Sequence, residues 1–378
     1  MHLAFLSLYD PDDVRAWSGI PHFVARALRA HPGVERLSVV GPLDLGDRVR
    51  GRVEKLRQRA RGGGYLRSHT EGGAAGLSEQ AEAACRRLRP DAVLALSSLP
   101  FFAFAPGVPS ASWADATFEA NLLFYPHDFS TLADGLIAEA HRVERAALHN
   151  VGHALFAAGF AADSARGYYG VPAERVGVVP FGANLDDVPP RPDVERAVAG
   201  RDTDRCRLLF LGGDWYRKGG DVAVRVVEEL RRGGVEAELV VAGTRAPTEH
   251  PAVRSVGFLR KDVPAERERL RALLSESHFL CMPVRAEDYG CVFPEAGAFG
   301  VPSVTTDAGG AADAVGAGGL VVRARTSPQE IAARVANTLA DPAAYRALAL
   351  AARDRFEAVT NWETATDAVV ARLGGAGR

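Results

Sequence analysis

The sequence predicts an α/β protein of two doubly wound parallel sheets, and three observations point there. Short apolar runs such as His2–Leu8 and Phe279–Met282 alternate with longer stretches of helical periodicity. That alternation occurs twice, and it implies parallel strands joined by right-handed crossovers. Between the two halves, Asp186–Asp193 holds Pro189, Pro190 and Pro192, which cannot continue a helix or a central strand. The expected division is therefore a first domain over 1–185, a second over 186–360, and a helix over 361–378.

In the first half, strands are expected near His2–Leu8, Leu37–Gly41, Ala92–Leu96, Ser110–Trp113, His153–Ala157 and Val176–Val179. Amphipathic helices fall between them at Pro21–Ala30, Ser78–Leu88, Thr131–His149 and Ala161–Tyr169. Gly46–Gly76, rich in arginine and glycine with little periodicity, reads as a loop region. Its Arg48, Arg50, Arg52 and Arg57–Arg61 read first as a solvated charged face. An anionic acceptor or weak peripheral contact with lipid headgroups is the alternative.

In the second half, strands are expected near Arg207–Leu211, Glu238–Ala242, Phe279–Met282, Ser303–Thr306 and Leu320–Val322, with helices such as Val222–Arg232 and Ala265–Ser277. Phe279–Met282 leads through a turn into a helix starting near Val292. Pro294 suits its first turn and Gly300 the left-handed residue that ends it. Amides at Tyr289, Gly290, Cys291 and Val292 then point out of the turn towards an anion. Glu287 and Glu295 flank that turn; they repel a bare phosphate but accept hydroxyl groups at either end of an anionic ligand. A sugar joined to a nucleotide through a diphosphate has that layout. Spacing alone leaves open an ordinary first-turn acid at Glu295 and a solvated charge at Glu287.

Glu287 and Glu295, followed by Ala296–Pro302 and Thr305–Gly310, resemble the signature of family-4 retaining glycosyltransferases of the GT-B fold. Leu208–Gly220, Leu239–Gly243 and Val256–Leu259 fit the same family in the same order. In the first half, Trp17–Pro21, Ala114–Thr117, Tyr168–Gly170 and Val178–Asn184 resemble one subgroup of it. The resemblance implies two Rossmann-like domains facing each other across a cleft, with a nucleoside diphosphate sugar as co-substrate, no cofactor and no metal. It places the C-terminal Trp362–Leu373 helix back on the first domain.

Roles follow from the resemblance alone. Lys218 and Arg217 would serve the diphosphate, Glu287 the transferred sugar and Glu295 the ribose. Gly290 to Val292 would complete the phosphate contacts, and Gly19 would let the first-domain loop approach the distal phosphate. Backbone groups near Gly243 and Phe258 would meet the base. Asp115, where the family often has histidine, would orient a sugar hydroxyl or take the acceptor proton; a loop or capping aspartate is the competing reading. The family often carries arginine where Gly213 stands here, and Arg217 is the candidate substitute. Sugar would move with retention to a small-molecule or glycan acceptor. A pseudo-glycosyltransferase coupling a cyclitol keeps the same diphosphate site, and a non-catalytic sugar-nucleotide or glycan binder is a further alternative.

Composition agrees with an enzyme of this kind: 378 residues, 47% hydrophobic, 24% charged, net charge −2. Nothing points to nucleic acid. The opening residues form a strand, no window approaches a membrane span, and a cytoplasmic location is expected. Cys85, Cys206, Cys281 and Cys291 lack metal-like spacing, as do His127, His141 and His153. Only Lys55, Lys218 and Lys261 are lysines among 45 basic residues. Lys218 stands where a strand gives way to a helix, a place suited to an ammonium beside phosphate oxygens.

Overall fold

A computed structural model describes residues 1–44 and 66–375. Arg48, Arg50, Arg52 and Arg57–Arg61 lie outside the described residues. The chain divides into two compact units: Met1–Pro180 with the segment from Trp362 onward, and Phe181–Asn361.

The first unit has six parallel strands: β1 (His2–Leu6), β2 (Arg36–Val40), β3 (Ala92–Ala95), β4 (Ser110–Ala114), β5 (His153–Phe156) and β6 (Val176–Val178), in the order β2-β1-β3-β4-β5-β6. Leu3 pairs with Ala92 and Leu6 with Ala95. Leu3 to Leu6 and Ala92 to Ala95 are all buried, as expected for central strands covered on both faces. The Trp362–Gly375 helix belongs to this unit. Trp362 meets Trp113 edge-on at 5.8 Å, and Asp367 pairs with His31 at 2.9 Å.

Two expectations from sequence need correction. The Gly46–Gly76 loop does not extend to residue 76, because a helix runs over Glu71–Leu88. Thr70 caps it, accepting a hydrogen bond from the Gly73 amide at 3.1 Å, and Ala74, Leu77 and Ala81 are buried. Glycine in the first turn hid the start; a Cβ on Gly73 would fall 2.1 Å from the Arg67 carbonyl oxygen. Likewise, the proline-rich Asp186–Asp193 stretch is not all linker. A helix opens inside it at Arg191–Ala199, with Pro190 at the cap and Pro192 in the first turn, where proline fits.

The second unit repeats the plan with β7 (Arg205–Leu211), β8 (Glu236–Ala242), β9 (Val253–Gly257), β10 (Phe279–Met282), β11 (Ser303–Thr306) and β12 (Gly319–Val322), ordered β12-β11-β10-β7-β8-β9 and all parallel. Buried Leu208 to Phe210, Leu239 to Ala242 and Phe279 to Met282 form its centre. β9 is one of the two edges, and its half-exposed pattern gave no clear strand signal in the sequence. No helix among the described residues is long and apolar enough to cross a membrane.

Candidate active site

In the second unit β7 lies between β10 and β8, so the strand order reverses beside it. At such a reversal, loops leaving neighbouring carboxyl ends diverge and open a crevice. The loops here are 212–219 after β7 and 283–291 after β10.

They bring Lys218 and Glu287 together. Lys218 Nζ donates to Glu287 Oε2 at 2.6 Å, and Arg217 Nη1 lies 3.4 Å from the same oxygen while donating to the Ala286 carbonyl at 2.9 Å. Glu287 is only 8% exposed. A carboxylate so buried needs a charged partner, and it has two. Asp214 accepts from the Arg217 amide at 3.0 Å and steadies that loop.

Glycines permit this closeness. A Cβ on Gly212 would come 2.4 Å from Lys218 Cδ, so the lysine stem lies where a side chain would be. Gly309 has φ +62°, and its Cβ would fall 2.1 Å from the Glu287 carbonyl oxygen, which also accepts from the Gly310 amide at 2.9 Å. The turn after β11 thus fixes the backbone that presents Glu287.

Glu295 lies in the first turn of the Val292–Ala298 helix and is 1% exposed. Lys261 Nζ donates to its Oε1 at 2.5 Å and to the Asn184 carbonyl at 3.0 Å. Oε2 has no hydrogen-bond partner among the described residues. Burial pushes this carboxyl above its usual range, opposed first by Lys261 and then by the Asn184 backbone and Lys218. Lys261 is the residue that sequence reading passed over. Its signal was scarcity: of three lysines in the chain, the two described ones end on the two glutamates.

The remaining expected residues lie as follows. Tyr289 points its side chain into the core, its hydroxyl donating to the Phe181 carbonyl at 2.8 Å. Gly290 has φ +86° and packs on the Phe293 ring; Cys291 caps the helix that Val292 opens. That helix has seven residues, and the Phe293 and Glu295 amides are engaged by the Gly290 and Cys291 carbonyls. Gly243 backs onto Gly212 and donates to the Gly257 carbonyl at 2.9 Å, and Phe258 just beyond is 68% exposed.

In the first unit, Gly19 and Asp115 follow β1 and β4. Trp17, Ser18 and Gly19 have φ of 44°, 58° and 91°, three left-handed residues in a row. Trp17 Nε1 donates to Asp115 Oδ2 at 3.2 Å, and the Tyr9 ring lies 5.8 Å from the Trp17 ring.

A separate cavity of the second unit opens at the amino ends of β7 and β8, lined by Arg207, Glu238, Glu276 and His278 among others. Arg207 is paired there with both glutamates, and both nitrogens of His278 are engaged. Glu295 Oε2, which has no hydrogen-bond partner among the described residues, lies in the other site.

Comparison with known proteins is concordant. The family model described as glycosyl transferases group 1 matches residues 205–341. Glycogen synthase of Mycobacterium tuberculosis is 31% identical over 177 residues, 44% of this chain and 42% of that protein. The GDP-mannose-dependent alpha-(1-6)-phosphatidylinositol monomannoside mannosyltransferase of Mycolicibacterium smegmatis is 32% identical over 207 residues, 50% and 53% of the two chains. The chain spans about half the length of these curated relatives. Sucrose-phosphate synthase of Thermosynechococcus elongatus superposes with a TM-score of 0.67 at 18% identity, over 100% of both chains. HepE of Anabaena, solved with UDP-glucose, does so at 0.61 and 16%, over 99% of this chain and 100% of that one. Likenesses at that identity establish the GT-B fold.

Proposed function

From the GT-B fold and the match of residues 205–341 to the model described as glycosyl transferases group 1, we propose that the protein is a retaining glycosyltransferase. It moves a sugar from a nucleoside diphosphate sugar to a small-molecule or glycan acceptor. The observation that carries this reading is that Glu287 and Glu295, both buried beside the loops after β7 and β10, each face a lysine. The arrangement suits an elongated ligand with hydroxyl groups at both ends and negative charge between.

Breaking the bond from the anomeric carbon to the diphosphate places negative charge on the leaving oxygen. Lys218 is the group assigned to meet it, with Arg217 beside it. A preorganised donor of that kind is worth about 3 kcal/mol, or roughly 10²–10³ in rate. The amides from Gly290 to Val292 contribute less in this reading, since a helix under two turns long carries little dipole. Glu295 would take the ribose hydroxyls, Glu287 those of the departing sugar, and Phe258 and Gly243 the base. Asp115, with one oxygen bonded to Trp17, would orient the acceptor. The UDP-glucose complex of HepE supports a sugar nucleotide as the ligand class, as does the GDP-mannose dependence of the Mycolicibacterium smegmatis mannosyltransferase.

The test is incubation with a panel of nucleoside diphosphate sugars and candidate acceptors, followed by NMR of the anomeric centre. Turnover with the donor's anomeric configuration kept is expected. Inversion removes the retaining assignment, and tight binding without turnover makes the protein a sugar-nucleotide binder.

A further inference from the structure

Lys261 comes from the loop between β9 and the Pro264–Glu276 helix, thirty-four positions before the carboxylate it reaches. Its ammonium spans two acceptors, Glu295 Oε1 at 2.5 Å and the Asn184 carbonyl at 3.0 Å, so its position is set by both. The Glu295 side chain is almost wholly enclosed, and its other oxygen lacks a partner among the described residues. A buried carboxylate with one oxygen tied and one open is costly unless a ligand completes it.

We propose that Lys261 is the positioning residue of this site: it locks Oε1 of Glu295 and leaves Oε2 as a fixed acceptor for a vicinal hydroxyl pair of the nucleotide sugar ring. The proposal rests on the reading of the protein as a nucleotide-sugar enzyme, and it assigns a role that the sequence did not. Lys261 itself need not touch the ligand. The charged groups facing Glu295 are Lys261 and, further off, Lys218, with the Asn184 backbone also favouring the ionised form. Burial already holds this carboxyl above its usual range, and without Lys261 to oppose it the carboxyl takes up a proton in a still higher pH range. A neutral carboxyl is a poorer acceptor than a carboxylate, since charge-assisted hydrogen bonds are roughly twice as strong as neutral ones.

The experiment uses the full chain, with uridine diphosphate and guanosine diphosphate as probes in calorimetry from pH 6 to 9. Lys261→Met is expected to weaken the diphosphate by about tenfold or more at the acid end and less at the alkaline end, as loss of a charge-assisted bond implies. Lys261→Arg should stay near wild type. In a Glu295→Gln background, Lys261→Met should cost little more. Weakening that is equal at every pH and unchanged by Glu295→Gln would overturn the proposal, leaving Lys261 a mere structural contact.

Thermal denaturation without nucleotide separates this outcome from failure of the functional reading. In Lys261→Met the folded state keeps a proton on Glu295 to a higher pH than in wild type, so its melting temperature should fall more steeply with rising pH than that of wild type. Glu295→Gln should abolish the extra slope. Persistence of that slope in the double variant overturns the coupling whether or not either diphosphate binds; its disappearance, with neither diphosphate bound, upholds the coupling and discards the ligand.

Discussion

Lys218 and Glu287 stand 69 positions apart in the chain and 2.6 Å apart in space, joined by a hydrogen bond between side chains that are both largely enclosed. The ammonium is thereby held at the carboxyl end of β7 before any ligand arrives. In the proposed reaction Lys218 exchanges this partner for a diphosphate oxygen. Lys218→Ala should reduce donor turnover at least about tenfold, and up to the roughly 10²–10³ typical of a lost donor. Steady-state rates with the active donor check this; unchanged turnover removes Lys218 from the chemistry.

The two glutamates should separate by ligand. Glu295→Ala should weaken the nucleoside diphosphate itself, whereas Glu287→Ala should weaken only the sugar-bearing form. Each change removes a hydrogen bond to a charged acceptor, worth about 1.5–3 kcal/mol. Calorimetry with the diphosphate and its sugar conjugate gives the comparison, and a reversed pattern would exchange the two assignments.

Two glycine substitutions should divide activity from stability. In Gly212→Ala the new methyl group meets the Lys218 stem at 2.4 Å, and that flexible side chain can move aside. Turnover should fall roughly tenfold to hundredfold through displacement of the ammonium, with little change in melting temperature. In Gly309→Ala the methyl group meets the backbone oxygen of Glu287 at 2.1 Å, at a φ of +62°. Neither partner can yield cheaply, and a loss of about 2–3 kcal/mol is expected in denaturant titration.

Glu144 makes the first unit sensitive to pH. Its carboxyl, on the Asp134–Asn150 helix, is buried, accepts from Ser98 Oγ at 3.0 Å, and is pushed up to about 7 by that burial, with Ser98 opposing. A folded value above the unfolded one means the folded state binds the extra proton. The stability is present below about pH 4.5 and is lost as pH rises to about 7, by roughly 3 kcal/mol. Glu144→Gln keeps an acceptor for Ser98 and should flatten this part of the melting profile. A profile with the same slope in both proteins would mean that another group titrates.

Much of the architecture could be read from the sequence because buried parallel strands are short continuous apolar runs. Ala92–Ala95 and Phe279–Met282 stand out for that reason. β9 did not, since Arg254 and Ser255 leave an edge strand half polar. The start of the Glu71–Leu88 helix was hidden by glycines that usually mark loops. At the site, Glu287 and Glu295 were legible through the turn and helix between them, and Lys218 through its place after a strand. Lys261 was not, because its partner is distant in sequence and nothing in local spacing joins them. The side chain of Tyr289 was equally hidden, since only folding shows that its hydroxyl turns inward to Phe181.

The bend at Trp17–Gly19 winds against the hand that L-residues prefer, at about 1–2 kcal/mol for each of Trp17 and Ser18. Such a bend is a borrowed shape. A synthetic peptide copying residues 14–20 would relax, so the bend exists only as long as the rest of its unit, including the indole's grip on Asp115, imposes it.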